Sequence, residues 1–413
     1  MGAGNDLGMM EERVQERAIE VGGDSGNASA WQVFGFLYFT LVAYGSVGIP
    51  VAVLPGYVHL NLGMSAAMAG TVIGLQSLAT LAARPSAGRV CDRFGPKVSV
   101  LLGMTACTLS GLLMIGAAAL ERNHWLSFAL LVLSRFPLGM SVSFGSTGAI
   151  LWGVRSFGEK STGRVIAFNG ITTYGGVGLG APLGVLLDAR WGLWGIGVFT
   201  AVFGAVSLLI ASRKAAVAPV HGEPEGFHRV LGRVLGHGIA VALSSVAYGV
   251  LITFIALYFY SRHWSGAALC LTAFGATFIV MRALFAQAIN KWGGYRVAIP
   301  SLAVTAVAMF LLWCAGSPWL AGAAAALTGF GFSLVYPALG VEAIRHVDEH
   351  NRGSALAGYT VFFDVALFLT GPAAGVVIGW YGEGSVFLLA CLCQIVSLAI
   401  VLALYRREVR LTV

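Results

Sequence analysis

Charge is what this chain has least of. Asp, Glu, Lys and Arg make up 10% of its 413 residues, against about 25% in soluble domains. Eighteen acids and 25 basic residues cannot cover a globule of this length with polar surface, which excludes a soluble fold. Period-two alternation is lacking too, which excludes a membrane barrel. The six cysteines fall at no zinc or redox spacing. The eight histidines lie in loops or near the ends of apolar runs, and no H-E-x-x-H, P-loop or G-x-S-x-G occurs. No catalytic set, metal or cofactor is therefore expected. Without a P-loop, energy would have to come from an ion or solute gradient.

What remains is apolar: 57% of the residues are hydrophobic. Runs of about 20 apolar residues span a bilayer as helices. Twelve occur, near 32–58, 66–88, 98–119, 126–152, 163–187, 192–212, 234–260, 267–290, 296–315, 319–343, 354–379 and 384–405. The fold expected is an all-α integral membrane protein. Its longest polar connection divides it into six-helix halves over 31–212 and 233–405, joined by a linker at 213–232. Residues 1–30 and 406–413 read as cytoplasmic tails, the first lacking the basic start and apolar core of a cleaved leader. The +7 net charge marks topology here, not nucleic-acid binding. With both termini inside, most Lys and Arg fall in inner loops, and the outer loops hold only Arg122, Arg190 and Arg262. Two more, Arg84 and Arg135, fall inside helices.

One stretch interrupts the apolar sequence with clustered charge: ARPSAGRVCDRFGPK, from Ala83 to Lys97. Arg84, Gly88 and Asp92 follow at four-residue steps, so they share a helical stripe at the inner end of the second run. Small Gly88 would let another helix approach, and Asp92 would accept from a helix amino end and pair with an Arg. This is an inner-gate latch or a solvated loop. A partial copy, RALFAQAINKWGGYR, follows the eighth run and sets Arg84 on Arg282, Arg93 on Lys291 and Gly95 on Gly293. A second echo sets GAPLGVLLDARWG, from Gly180, on TGPAAGVVIGWYG, from Thr370. The chain thus reads as a duplication.

At Gly88, Asp92, Arg93, Gly95 and Lys97 the sequence resembles the G-x-x-x-D-R-x-G-x-K/R pattern of the major facilitator superfamily. RFPLG, from Arg135, is similar to the R-x-x-x-G signature of proton-coupled members. GVGLGAPLG resembles the antiporter Gly-Pro signature with Ala181 before Pro182, and GPAAG, from Gly371, keeps it unbroken. Stretches such as SLVYPALGVEAI look most like the YhhS-like, arabinose-efflux-related branch, which is drug:proton antiporter-like. The resemblance implies two pseudo-symmetric six-helix bundles around a cavity open alternately to either side. Helices 1, 2, 4, 5, 7, 8, 10 and 11 would line it, with 3, 6, 9 and 12 outside.

Ionisable residues within membrane helices raise functional hypotheses by default. Asp364 falls near the midplane of the eleventh helix. Low-dielectric burial disfavours a charged carboxylate, as a proton carrier requires; the alternative is a fixed structural carboxylate. Arg135, near the midplane of the fourth helix, would attract an anionic group or act on a carboxylate, or else tie its helix to carbonyls. Glu342 reads as a gate or structural partner of Arg282 or Lys291. Asn169, Gln76, Tyr44, Tyr248 and Tyr336 add hydrogen-bonding and aromatic surface suited to an amphipathic small molecule. Gly176, Gly180 and Gly184 form a ridge for close helix contact.

The leading expectation is a proton-coupled exporter of a small organic molecule, acting as a monomer in the bacterial inner membrane. An importer or uniporter of the same fold is the alternative. A sensor or scaffold is disfavoured because no soluble signalling domain accompanies the helices.

Overall fold

In a computed structural model, residues 30–158, 162–217, 227–285, 288–345 and 352–412 are described. The tail expected at 1–30 lies almost wholly outside them, as does the middle of the linker. The described residues are helical throughout, with no strand. In lipid only internal bonding satisfies the backbone, and the apolar runs comply. We label α1 (Ala30–Val51, continuing through a π-turn to Asn61), α2 (Ala66–Phe94), α3 (Pro96–Ala119) and α4 (His124–Phe157). The next helix, Thr162–Arg213, breaks at Gly192, whose φ is 62° and ψ −159°. We call its two parts α5 and α6. Then come α7 (Phe227–Ser261), α8 (Ala267–Leu284), α9 (Gly294–Trp313), α10 (Pro318–Arg345), α11 (Arg352–Tyr381) and α12 (Ser385–Thr412). Among the described residues, eleven stretches are long and apolar enough to cross a membrane. The one carrying the Gly192 break has length for two crossings, in keeping with twelve runs.

The outer helices behave as lipid-facing surfaces should. Leu109 and Leu112 on α3, Leu209 on α6, Phe310 on α9 and Leu392 on α12 are all exposed. Trp31, Trp125, Trp191, Trp319 and Trp380 stand exposed near helix ends, where indole rings favour the interface.

Repeat symmetry appears in the backbone itself. Gly95 (φ 89°, ψ 157°) and Gly293 (φ 88°, ψ 155°) take the same conformation before α3 and α9, a region open chiefly to glycine. Within the first half, the expected ridge packs α5 on α1: a carbon built on Gly180 would lie 2.8 Å from the Gly45 carbonyl oxygen. Between halves, α2 meets α11 and α5 meets α8. Gly70 abuts the Gly371 carbonyl, Gly375 abuts Ala67, and Gly178 faces Gly275. These contacts close the end of the bundle opposite the Arg- and Lys-rich end, hereafter the far and basic ends. The Thr272 hydroxyl donates to the Gly178 carbonyl (3.3 Å), while Gly74 packs on the Phe368 carbonyl. The two repeat alignments map these contacts onto each other.

Candidate functional site

Between the halves lies a cavity of about 70 Å³, room for a few waters. Tyr44 and Val47 (α1), Gln76, Ser77 and Thr80 (α2), Val142 (α4), Thr173 and Tyr174 (α5), Tyr248, Ile252 and Thr253 (α7), and Phe363, Asp364 and Leu367 (α11) line it. Of the predicted site residues, Tyr44, Gln76, Tyr248 and Asp364 are therefore brought together. Tyr336 stands behind Phe363, its hydroxyl 2.7 Å from the Thr360 hydroxyl. Asn169 is also outside the wall, and its Oδ1 is buried with no hydrogen-bond partner among the described residues.

Asp364 does not meet Arg135. Arg84 crosses from the first half and donates to both carboxylate oxygens, Nε to Oδ2 at 2.5 Å and Nη2 to Oδ1 at 3.1 Å. Such a two-pronged pair fixes orientation as well as charge. The Asp364 side chain is 5% exposed and that of Arg84 29%, so the carboxylate in the cavity wall is the buried member of the pair. Arg84, read from sequence as an inner-gate residue, thus holds the carboxylate read as the coupling group. Arg135 is buried and is not in the cavity wall; its Nε and Nη2 donate to Ser134 Oγ at 3.1 and 2.8 Å.

The charged stretch after α2 acts within the first half. Arg155 at the end of α4 donates to Asp92 (3.3 Å) and to the Cys91 carbonyl (3.2 Å). Lys97 donates to the carbonyls of Ser212 (2.8 Å) and Lys214 (2.6 Å) at the end of α6. Its ammonium thereby satisfies orphan helix-end carbonyls. Lys214 itself lies over the Phe36 ring, and burial pulls its ammonium below the usual lysine range. Arg93 covers the Phe94 ring. A carbon built on Gly88 meets no described atom within 4 Å, so the close helix approach expected there is not made in this conformation. The Asp92 side chain is 56% exposed. With that exposure, Asp92→Asn should change melting temperature little, about 1 kcal/mol or less, as differential scanning fluorimetry would show.

Glu342 requires a correction. It was expected to partner Arg282 or Lys291. Its Oε1 instead accepts from the Gly294 N–H at 2.7 Å, and Arg345 approaches Oε2 at 3.4 Å. The first N–H groups of a helix lack internal partners and attract a carboxylate, and α9 starts beside Glu342. Arg345 also donates to Glu408 (2.7 Å). Arg282 donates from Nη1 to the Ser333 carbonyl (2.7 Å), and Lys291 lies by the Trp292 ring. Glu342→Ala would leave the Gly294 N–H unpaired, costing about 1–3 kcal/mol. A drop in the melting temperature of purified protein checks this.

Sequence reasoning missed Tyr174, which faces Tyr248 edge-on (5.7 Å) and stacks on Phe278 (3.7 Å). The second echo held the signal: setting Gly180 on Thr370 also sets Tyr174 on Asp364.

Comparison with known proteins agrees with this architecture. The family model for the Major Facilitator Superfamily matches residues 36–286 and 238–412. An uncharacterized MFS-type transporter of Pseudomonas aeruginosa is 49% identical over 379 residues, covering 92% of this chain and 94% of that one. One from Burkholderia mallei is 46% identical over 385 residues, covering 93% and 95%. Among solved structures, a D-xylose-proton symporter superposes with a TM-score of 0.71 at 16% identity, over 89% of this chain and 97% of that one. The human organic anion transporter MFSD10 gives 0.65, also at 16% identity, over 89% and 98%. At such identity these two share the fold alone. Duplicated halves, a cavity between them and a family match along nearly the whole described chain lead to one conclusion: this multi-pass membrane protein belongs to the major facilitator superfamily of transporters.

Proposed function

We propose that the chain is a proton-coupled exporter of a small organic molecule, working by alternating access as a monomer. It would sit in the bacterial inner membrane with both termini cytoplasmic, which makes the basic end the inner one. The observation that carries this reading is the pair between Arg84 and Asp364, made across the two halves against the cavity. While Asp364 is charged, it holds α11 to α2 on the inner side of the cavity. A proton on Asp364 removes that attraction, so the inner side parts and the proton leaves to the cytoplasm. Substrate entering then travels outward as the charged pair re-forms. The stretch from Gly88 to Lys97 supports the switch by fixing the inner ends of α2, α3, α4 and α6 as one body. The arabinose-efflux-related branch is the assignment we favour, on the stretches quoted above.

Ala181, in place of the Gly of the antiporter signature, favours the second reading, an importer or uniporter. Metabolites should be compared inside and outside cells with and without the protein, and the compound that shifts followed in proteoliposomes under an imposed pH gradient. Export predicts movement opposite to protons. Movement together with protons establishes import, and movement indifferent to the gradient a uniporter.

A further inference from the structure

The two repeats place an arginine at equivalent positions, Arg84 on α2 and Arg282 on α8, but give them different partners. Arg84 reaches across to Asp364 on α11. By the same symmetry Arg282 faces α5, where Tyr174 stands at the position matching Asp364. There the counter-charge is missing. No Asp or Glu among the described residues pairs with Arg282. Its one described hydrogen bond runs from Nη1 to the Ser333 carbonyl, within its own half.

Gly170 on α5 packs against the Nε–Nη2 side of the guanidinium, largely over its face. A carbon built on Gly170 would lie 3.2 Å from Nη2 and 3.3 Å from Nε, so the absent side chain at Gly170 makes room for that side. Nε and Nη2 donate to no described acceptor. A guanidinium taken from water without a counter-ion is unfavourable. Its planar fork suits a carboxylate taken two-pronged. Beside it lies a cluster of aromatic rings. The guanidinium carbon is 5.9 Å from the Phe278 ring centre, Phe278 stacks on Tyr174, and Tyr174 and Tyr248 both line the cavity.

We infer that Arg282 is the substrate's anion-binding residue and that the substrate is a small planar aromatic carboxylate. Its carboxylate would take the Nε–Nη2 edge, supplying the charge that Asp364 supplies to Arg84, while its ring packs against Tyr174 and Tyr248 in the cavity wall. The inference rests on the transport reading of this cavity and adds a substrate class to it. The cavity would widen on binding, because about 70 Å³ does not hold such a ring.

The test uses the full-length protein in detergent and acids paired with their amides: benzoate with benzamide, and indole-3-acetate with indole-3-acetamide. Apparent affinity is read from the ligand-dependent rise in melting temperature. The acids should bind about tenfold or more tightly than the amides. Arg282→Gln should erase that difference and Arg282→Lys retain part of it. If Arg282→Gln fails to fold, Gly170→Asp, which sets a carboxylate against Arg282, should erase it instead. Equal shifts from acid and amide, no shift from either acid, or a preference that survives both Arg282→Gln and Gly170→Asp would each overturn the inference. Amides alone binding would overturn the substrate class while leaving the cavity as the binding site. The transport reading falls only with the flux measurements described above.

Discussion

Asp364→Asn should abolish gradient-driven accumulation while leaving exchange of substrate down its own gradient. The amide still accepts a hydrogen bond from Arg84, but it carries no charge and takes up no proton. Removing one partner of a buried pair costs about 3–5 kcal/mol; with the Arg84 side chain 29% exposed, the lower figure or less applies. A loss of about 3 kcal/mol from the inner-closed arrangement shifts its equilibrium by roughly two orders of magnitude. Proteoliposome uptake with and without an imposed pH gradient separates the two activities. Arg84→Gln should also open the inner side, yet keep a protonatable Asp364, so residual coupling should survive in it. Equal coupling in wild type and Asp364→Asn would exclude Asp364 as the proton carrier.

Gly371→Val should block transport from the other end of the cycle. Gly70 and Gly371 bring α2 and α11 together backbone to backbone, and a side-chain carbon on either would strike the other's carbonyl. Overpacking of this kind costs about 1–3 kcal/mol, all of it charged to the arrangement closed at the far end. The far side should therefore stand open about ten- to a hundredfold more often. A cysteine at Gln76, in a background without native cysteines, should react correspondingly faster with an impermeant maleimide added from the far side. An unchanged rate together with normal transport would show that closure there tolerates a wider spacing.

Helix existence was legible because the bilayer leaves few alternatives, and the break at Gly192 falls on the first residue of the run read as 192–212. The duplication was legible in sequence, and the matching dihedral angles of Gly95 and Gly293 give it a physical form. Side-chain partners were not legible. Depth along a helix follows from residue count, but the direction a side chain faces depends on packing between helices far apart in sequence. Hence Arg84 and Asp364 are both singled out in the sequence and not joined, Arg135 does not line the cavity, and Glu342 takes the Gly294 N–H and Arg345 in place of Arg282 and Lys291. The linker was drawn to 232, whereas α7 begins at Phe227, because charge near a helix end does not stop the helix.

The central claim is that protonation of Asp364 releases the inner side of the transporter. Spin labels at Arg89 on α2 and Arg406 on α12, both exposed at the basic end, report the distance between the halves by pulsed electron resonance. In wild-type protein the distance should lengthen as pH falls, and in Asp364→Asn it should stay long at every pH. A wild-type distance that ignores pH, or the same pH response in Asp364→Asn, would contradict the claim.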